Sequence, residues 1–287
     1  MTKRLVKTVT LRTGLEISYV EQGDRIGVPL VLLHGYGCSF HSFDQLLAKL
    51  PTWVRVFALS LRGHGDSSKL ESGYGLRDLA ADVVDFLDAL ALDCAVVAGH
   101  SMGGLVAQRV AIDHPARTAG LVLLGTFPTC AGNPTLEAVW NEHVSRWTDP
   151  IAPASVRDFH ESTIAWRAAV PDAFVDLVVR ESLKVPARVW HELLGAHLRD
   201  DHTRELDRIE APTLILCGDA DRIALAPHQE ALARGIAGAE LIVFRGAGHA
   251  LHWERPEDVA RVVTEHGVLS KIFRTPITSK RLERKPA

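Results

Sequence analysis

The chain has 287 residues, 47% hydrophobic and 23% charged, enough to bury a sizeable core and unlike a disordered composition. Its 32 basic and 35 acidic residues leave a formal charge of -3, which gives no reason to expect nucleic acid as a partner. Cys38, Cys94, Cys130 and Cys217 are widely spaced with no CxxC pair, which speaks against a disulfide framework or a zinc cluster and fits a reducing compartment.

No stretch reaches the roughly 20 apolar residues that a bilayer crossing needs. The opening Met-Thr-Lys-Arg-Leu-Val-Lys lacks the apolar core of a signal peptide. A cytoplasmic protein without a membrane anchor is the expectation; the oligomeric state is not legible.

In chain order, residues 5–11 and 15–21 alternate in polarity around Thr13-Gly14 and predict an antiparallel hairpin. Short continuous apolar runs follow at 29–33, 54–59, 95–98, 121–124, 213–217 and 241–244. Runs of this kind suit strands buried on both faces, and their alternation with helix-period segments predicts a largely parallel sheet. Residues 76–90 carry Leu79, Val83, Phe86, Leu87 and Leu90 on one stripe, with Asp78, Asp82, Asp85 and Asp88 outside it. A helix over 102–114 stops before Pro115, and Pro256 opens a last core helix. Residues 127–206 break the rhythm. They contain helix-like segments, six prolines and the tryptophans Trp140, Trp147, Trp166 and Trp190, but no strand-like run. The expected division is a core over 1–126 and 207–270, a helical lid over 127–206, and a basic, mobile tail over 271–287.

The sharpest motif is Gly99-His100-Ser101-Met102-Gly103, because a predicted strand runs into it and a helix runs out. A serine at such a turn is strained and exposed at the sheet's edge, with a helix amino terminus facing any developing negative charge. His34-Gly35-Tyr36-Gly37 follows another strand and frees backbone N–H groups; Tyr36 and Met102 are the expected oxyanion-hole donors. His34 is expected to orient its own turn. A serine nucleophile needs a base, and the base needs an orienting carboxylate. Gly218-Asp219-Ala220-Asp221 and Gly246-Ala247-Gly248-His249 each follow a strand, with Asp219 and His252 as competing candidates.

With these motifs the sequence resembles the α/β-hydrolase superfamily, and within it serine esterases and their haloperoxidase-like and carbon–carbon hydrolase relatives. The resemblance implies an α/β-hydrolase fold: a mostly parallel eight-stranded sheet flanked by helices, with the lid after the sixth strand. It also implies a catalytic triad of Ser101, Asp221 and His249 and needs no cofactor or metal. Haloalkane dehalogenases and epoxide hydrolases carry aspartate at the nucleophile position, so serine here excludes both. Leu61-Arg62-Gly63-His64-Gly65-Asp66-Ser67 matches a family turn that looks structural, leaving His64 and Asp66 outside catalysis. His191 and His197 imitate a zinc motif but stand six residues apart instead of four; solvated lid histidines are expected.

The expected activity is hydrolysis of a small to medium, uncharged carboxylic ester through an acyl-enzyme, since no residue marks a charged substrate group. Phe127, Trp140, Trp147, Trp166 and Phe174 are the candidate substrate pocket, with packing inside the lid as their alternative role. Cleavage of a dicarbonyl carbon–carbon bond, or perhydrolysis, would use the same triad. A ligand-binding receptor on this scaffold would be favoured by a missing triad member, and none is missing.

Overall fold

The computed structural model describes residues 5–266 and residue 269; the expected basic tail, 271–287, lies outside the described residues. Eight strands form one sheet: β1 (Val6–Thr10), β2 (Glu16–Gln22), β3 (Val28–Leu33), β4 (Val54–Leu59), β5 (Ala95–His100), β6 (Thr118–Leu124), β7 (Thr213–Gly218) and β8 (Glu240–Phe244). Their order is β1-β2-β4-β3-β5-β6-β7-β8. Pairing is antiparallel for β1-β2 and β2-β4 and parallel from there on.

In β3 to β7 the continuous apolar runs follow from having a core on each face; the run at 241–244 forms the edge strand β8 and is not buried on both faces as expected, since Val243 is half exposed. Side chains alternate across a strand. Val31, Leu33, Val97, Leu121, Leu123 and Ile215 accordingly enter one cluster. Leu30, Leu32, Val96, Ala98, Val122, Leu124, Leu214 and Leu216 enter the other. A polar residue on either face would be stranded without water, so both faces are apolar.

Helix α1 (Leu76–Ala89) buries Leu79, Val83, Phe86 and Leu87 as its stripe predicts. Two of the aspartates outside that stripe are nonetheless buried. Asp82 takes a bidentate pair from Arg62, and Asp85 accepts from Arg12 at 2.7 Å. Helical periodicity could not anticipate these partners, because both arginines lie in distant segments. Helix α2 (Met102–Asp113) leaves β5 directly and is buried along nearly its whole length.

Between β6 and β7 the chain is helical: a short turn at Pro134–Ala138, then α3 (Pro153–Ser162), α4 (Asp172–Ser182) and α5 (Ala187–His197). An isolated bridge between Thr129 and Asp201 closes the base of this insertion. Asn133 caps the short turn with its side-chain oxygen and donates its amide to the Ile223 carbonyl, tying the insertion to the loop after β7. Among the described residues no helix is long and apolar enough to cross a membrane.

Candidate active site

Ser101 sits between β5 and α2 with φ 52° and ψ -117°, one of two non-glycine residues at positive φ among the described residues. Such backbone is costly for a side-chain-bearing residue and persists only where the surroundings impose it. Here the imposing feature is close backbone packing. A Cβ on Gly99 would lie 2.0 Å from the Gly103 carbonyl oxygen, and one on Gly103 would lie 2.1 Å from that of Leu33. The two glycines let the turn close, and they press the start of α2 against the end of β3. The Ser101 N–H donates to Leu124 O at 3.0 Å, and Thr126 donates its hydroxyl to Ser101 O at 2.8 Å.

Loops at the carboxyl ends of β7 and β8 bring the other two groups to the serine. His249 Nε2 stands 2.8 Å from Ser101 Oγ, and His249 Nδ1 stands 2.9 Å from Asp221 Oδ2. Asp221 Oδ1 accepts from the N–H groups of Ile223 at 2.7 Å and Ala224 at 2.9 Å. Burial pushes the Asp221 carboxyl upward, but His249 and those two N–H donors outweigh it and hold the group below its usual range. With Asp221 ionised, Nδ1 carries the imidazole proton and leaves Nε2 free to accept from the serine hydroxyl.

Asp219 and His252 do not join this chain. Asp219 accepts from the Gly246 N–H at 2.6 Å and braces the turn before the histidine. His252 is buried with its Nε2 3.0 Å from Ser42 Oγ.

A cavity of about 300 Å³ opens above Ser101, bordered by Tyr36, Met102, Leu105, Phe127, Phe159 and Leu194 among others, and its wall is mostly apolar. Met102 opens α2, so its N–H has no acceptor within the helix. Tyr36 follows β3 and Gly35 and donates its phenol to the Trp190 carbonyl of α5 at 2.5 Å.

The model of the alpha/beta hydrolase family matches residues 30–262. The chain is an α/β hydrolase. A non-heme chloroperoxidase of Streptomyces lividans is 30% identical over 87% of this chain and 95% of its own. A hydrolase from Pseudomonas aeruginosa is 27% identical in sequence and superimposes with a TM-score of 0.80 over 90% of this chain and 97% of its own. An esterase from a Rhodococcus strain, also 27% identical, does so at 0.79 over 90% and 96%.

In this hydrolase one of the five expected pocket aromatics, Phe127, borders the cavity. The other four need correcting. Trp140 meets His191 edge-on at 6.2 Å, and Trp147 meets Trp190 at 5.0 Å. Phe174 packs on Trp253 at 5.5 Å, and Trp166 is half exposed beneath the Arg255 guanidinium. Packing within the insertion takes Trp140 and Trp147, and seating the insertion on the core at Trp253 takes Phe174.

His34 orients its turn, as the motif implied. Its Nδ1 donates to Gly35 O at 2.8 Å, and its Nε2 accepts from the Leu61 N–H at 3.0 Å. His64 is buried beside it, while Asp66 pairs with Lys184 near the surface. The solvated reading of His197 does not hold. This residue is buried, borders the cavity, and is pushed down to about 4 by burial.

Sequence reasoning also passed over His160, a second neutral imidazole in the cavity wall, which burial pushes down to about 3. The Ser182 hydroxyl donates to Val178 O, so His160 Nε2 donates to the Ser182 oxygen at 2.7 Å. His100, quoted within the serine motif but given no role, donates its Nε2–H to the His249 carbonyl at 3.0 Å. Burial, with His249 adding to it, pushes His100 down to about 3, so it remains uncharged beside His249.

Proposed function

We propose that this hydrolase cleaves small to medium carboxylic esters through an acyl-enzyme on Ser101. The observation that carries the reading is the unbroken chain of short contacts from Asp221 through His249 to Ser101 Oγ at the floor of the cavity. In the first half-reaction the Ser101 oxygen bonds to the ester carbon while His249 Nε2 takes its proton. Asp221 holds the imidazole tautomer and stabilises the imidazolium. The tetrahedral oxyanion is received by the N–H groups of Tyr36 and Met102, each donor contributing about 2.7–4 kcal/mol to lowering the barrier. Collapse breaks the bond to the alcohol oxygen, which takes the proton from His249. Water then repeats the sequence with His249 as base and frees the carboxylic acid and the serine.

The cavity supports an apolar acyl group. Small-molecule sites range upward from about 300 Å³, so a space of about 300 Å³ favours a short or compact acyl chain. The helical insertion acts as the lid in this reading, since Phe159 and Leu194 come from it and border the same cavity as Ser101. The similarity to a chloroperoxidase favours perhydrolysis as a second activity of the same intermediate. Hydrogen peroxide in place of water would release a peracid, an oxidant able to act on halide.

The test is turnover of p-nitrophenyl esters of increasing acyl length, run beside fluorophosphonate labelling and Ser101→Ala. The reading expects activity falling off beyond medium chains, with both turnover and labelling lost in the variant. Folded wild-type protein that neither labels nor turns over any ester would overturn it.

A further inference from the structure

A second cavity, of about 470 Å³ and mostly polar in its wall, adjoins the first. Ser162, Thr163, Arg222 and His249 border both cavities, whereas Ser101 borders the apolar one and not the polar one. That asymmetry gives the two spaces different parts of a substrate. The acyl group must lie against the nucleophile and the oxyanion donors. The leaving oxygen must face His249, which protonates it, so what is attached to that oxygen extends toward the polar chamber.

Arg222 stands at the junction. Its carbonyl accepts from the Thr135 hydroxyl at 3.0 Å, which fixes its backbone to the insertion. Its guanidinium has no hydrogen-bond or ion-pair partner among the described residues. The carboxylates nearest in sequence are already engaged: Asp221 with His249 and two N–H groups, Asp219 with the Gly246 N–H. Glu254, behind the chamber wall, accepts from the N–H groups of Ala165, Trp166 and Gly248. Arg222 is itself exposed, and as a residue bordering both cavities it offers a permanent cation with forked donor geometry next to the leaving-group path, a form matched to a carboxylate.

Resting on the esterase reading, we propose that the substrate carries a carboxylate on its alcohol side and that Arg222 binds it. The apolar cavity then holds a neutral acyl chain while the polar chamber holds the charged alcohol portion. This revises the expectation of a wholly uncharged ester. Hydrolysis of such a compound breaks the acyl carbon–oxygen bond. The acid is released from Ser101 after water attack, and a hydroxy acid leaves with the proton from His249.

A matched pair of esters reads this directly: carboxymethyl butyrate, which ends in a carboxylate, and carbamoylmethyl butyrate, its neutral counterpart. The expected KM of the wild type is about tenfold or more lower for the carboxylate ester, with a gap that narrows as salt is raised. In Arg222→Gln the ratio collapses toward one, and Arg222→Lys restores part of it. Equal KM values in the wild type, or a ratio that survives Arg222→Gln, would overturn the proposal.

Binding of the same two esters to Ser101→Ala, by calorimetry, separates this inference from the esterase reading. The esterase reading fails if the wild type hydrolyses neither of these nor any p-nitrophenyl ester and takes no fluorophosphonate label. Tighter binding of the carboxylate ester that is lost on adding Arg222→Gln would still uphold the anion site, and equal binding would end it.

Discussion

At the scale of single residues, the site depends on which atom of each group is occupied. Asp221 divides its work between its two oxygens, one on His249 and the other on the N–H groups of Ile223 and Ala224. Asp221→Asn can retain an acceptor for those N–H groups while losing the charge that fixes the His249 tautomer. The expected result is a kcat about 10⁴-fold lower with little change in the denaturation midpoint. A loss below tenfold would mean that Asp221 does not orient the base.

The triad candidates were legible in the sequence because each follows a strand within a few residues, so chain order and turn glycines bring them to one edge. The cavity wall was not legible. His160, His197 and Arg222 come from separate segments, and no local pattern records that distant segments will face each other across one space.

The strands, among the secondary-structure elements, were the most readable, since two opposed cores demand uninterrupted apolar runs. The insertion was readable as helical but not in its inner arrangement. Periodicity marks a ring as apolar without saying whether it faces a cavity or another ring, which is why Trp140, Trp147 and Phe174 read equally well both ways. The ring that matters most to the site is one that the pocket expectation left out.

Trp190 is fully buried in α5, 4.7 Å from the Tyr36 ring and 5.0 Å from that of Trp147. A Cβ on Gly37 would fall 1.9 Å from its ring, so the turn carrying the Tyr36 N–H is shaped against this side chain. Trp190→Ala is expected to cost about 3–5 kcal/mol in denaturant unfolding and to lower turnover as that turn loosens. A cost under about 1 kcal/mol would show that the insertion does not brace the turn.

Across the whole molecule, the distinctive electrostatic feature is a set of histidines kept neutral by burial. His100 and His160 are pushed down to about 3, His64 and His197 to about 4, and His34 and His252 well below the ordinary value of 6.5. Between those values and 6.5 the unfolded chain binds protons that the fold does not, so stability falls as pH falls through that window. Each such histidine adds up to about 1.4 kcal/mol of loss per pH unit. Asp221 acts in the same direction at lower pH. Its contribution is complete above the ordinary carboxyl range and is lost as pH falls through its depressed folded value. The urea midpoint should be nearly level above about pH 7 and drop steeply from about pH 6 to 4.5. A midpoint unchanged across that range would contradict the assignment of neutral buried imidazoles.

The central claim is a covalent acyl-enzyme on Ser101, and the most direct measurement is its capture. Protein mixed briefly with p-nitrophenyl butyrate, quenched in acid and digested, is read by mass spectrometry of the peptide containing residue 101. The account predicts a butyryl group on Ser101 in the wild type and none in Ser101→Ala, which should also lose turnover by at least about 10⁴-fold. A butyryl group on another residue, or turnover that persists in Ser101→Ala, would contradict it.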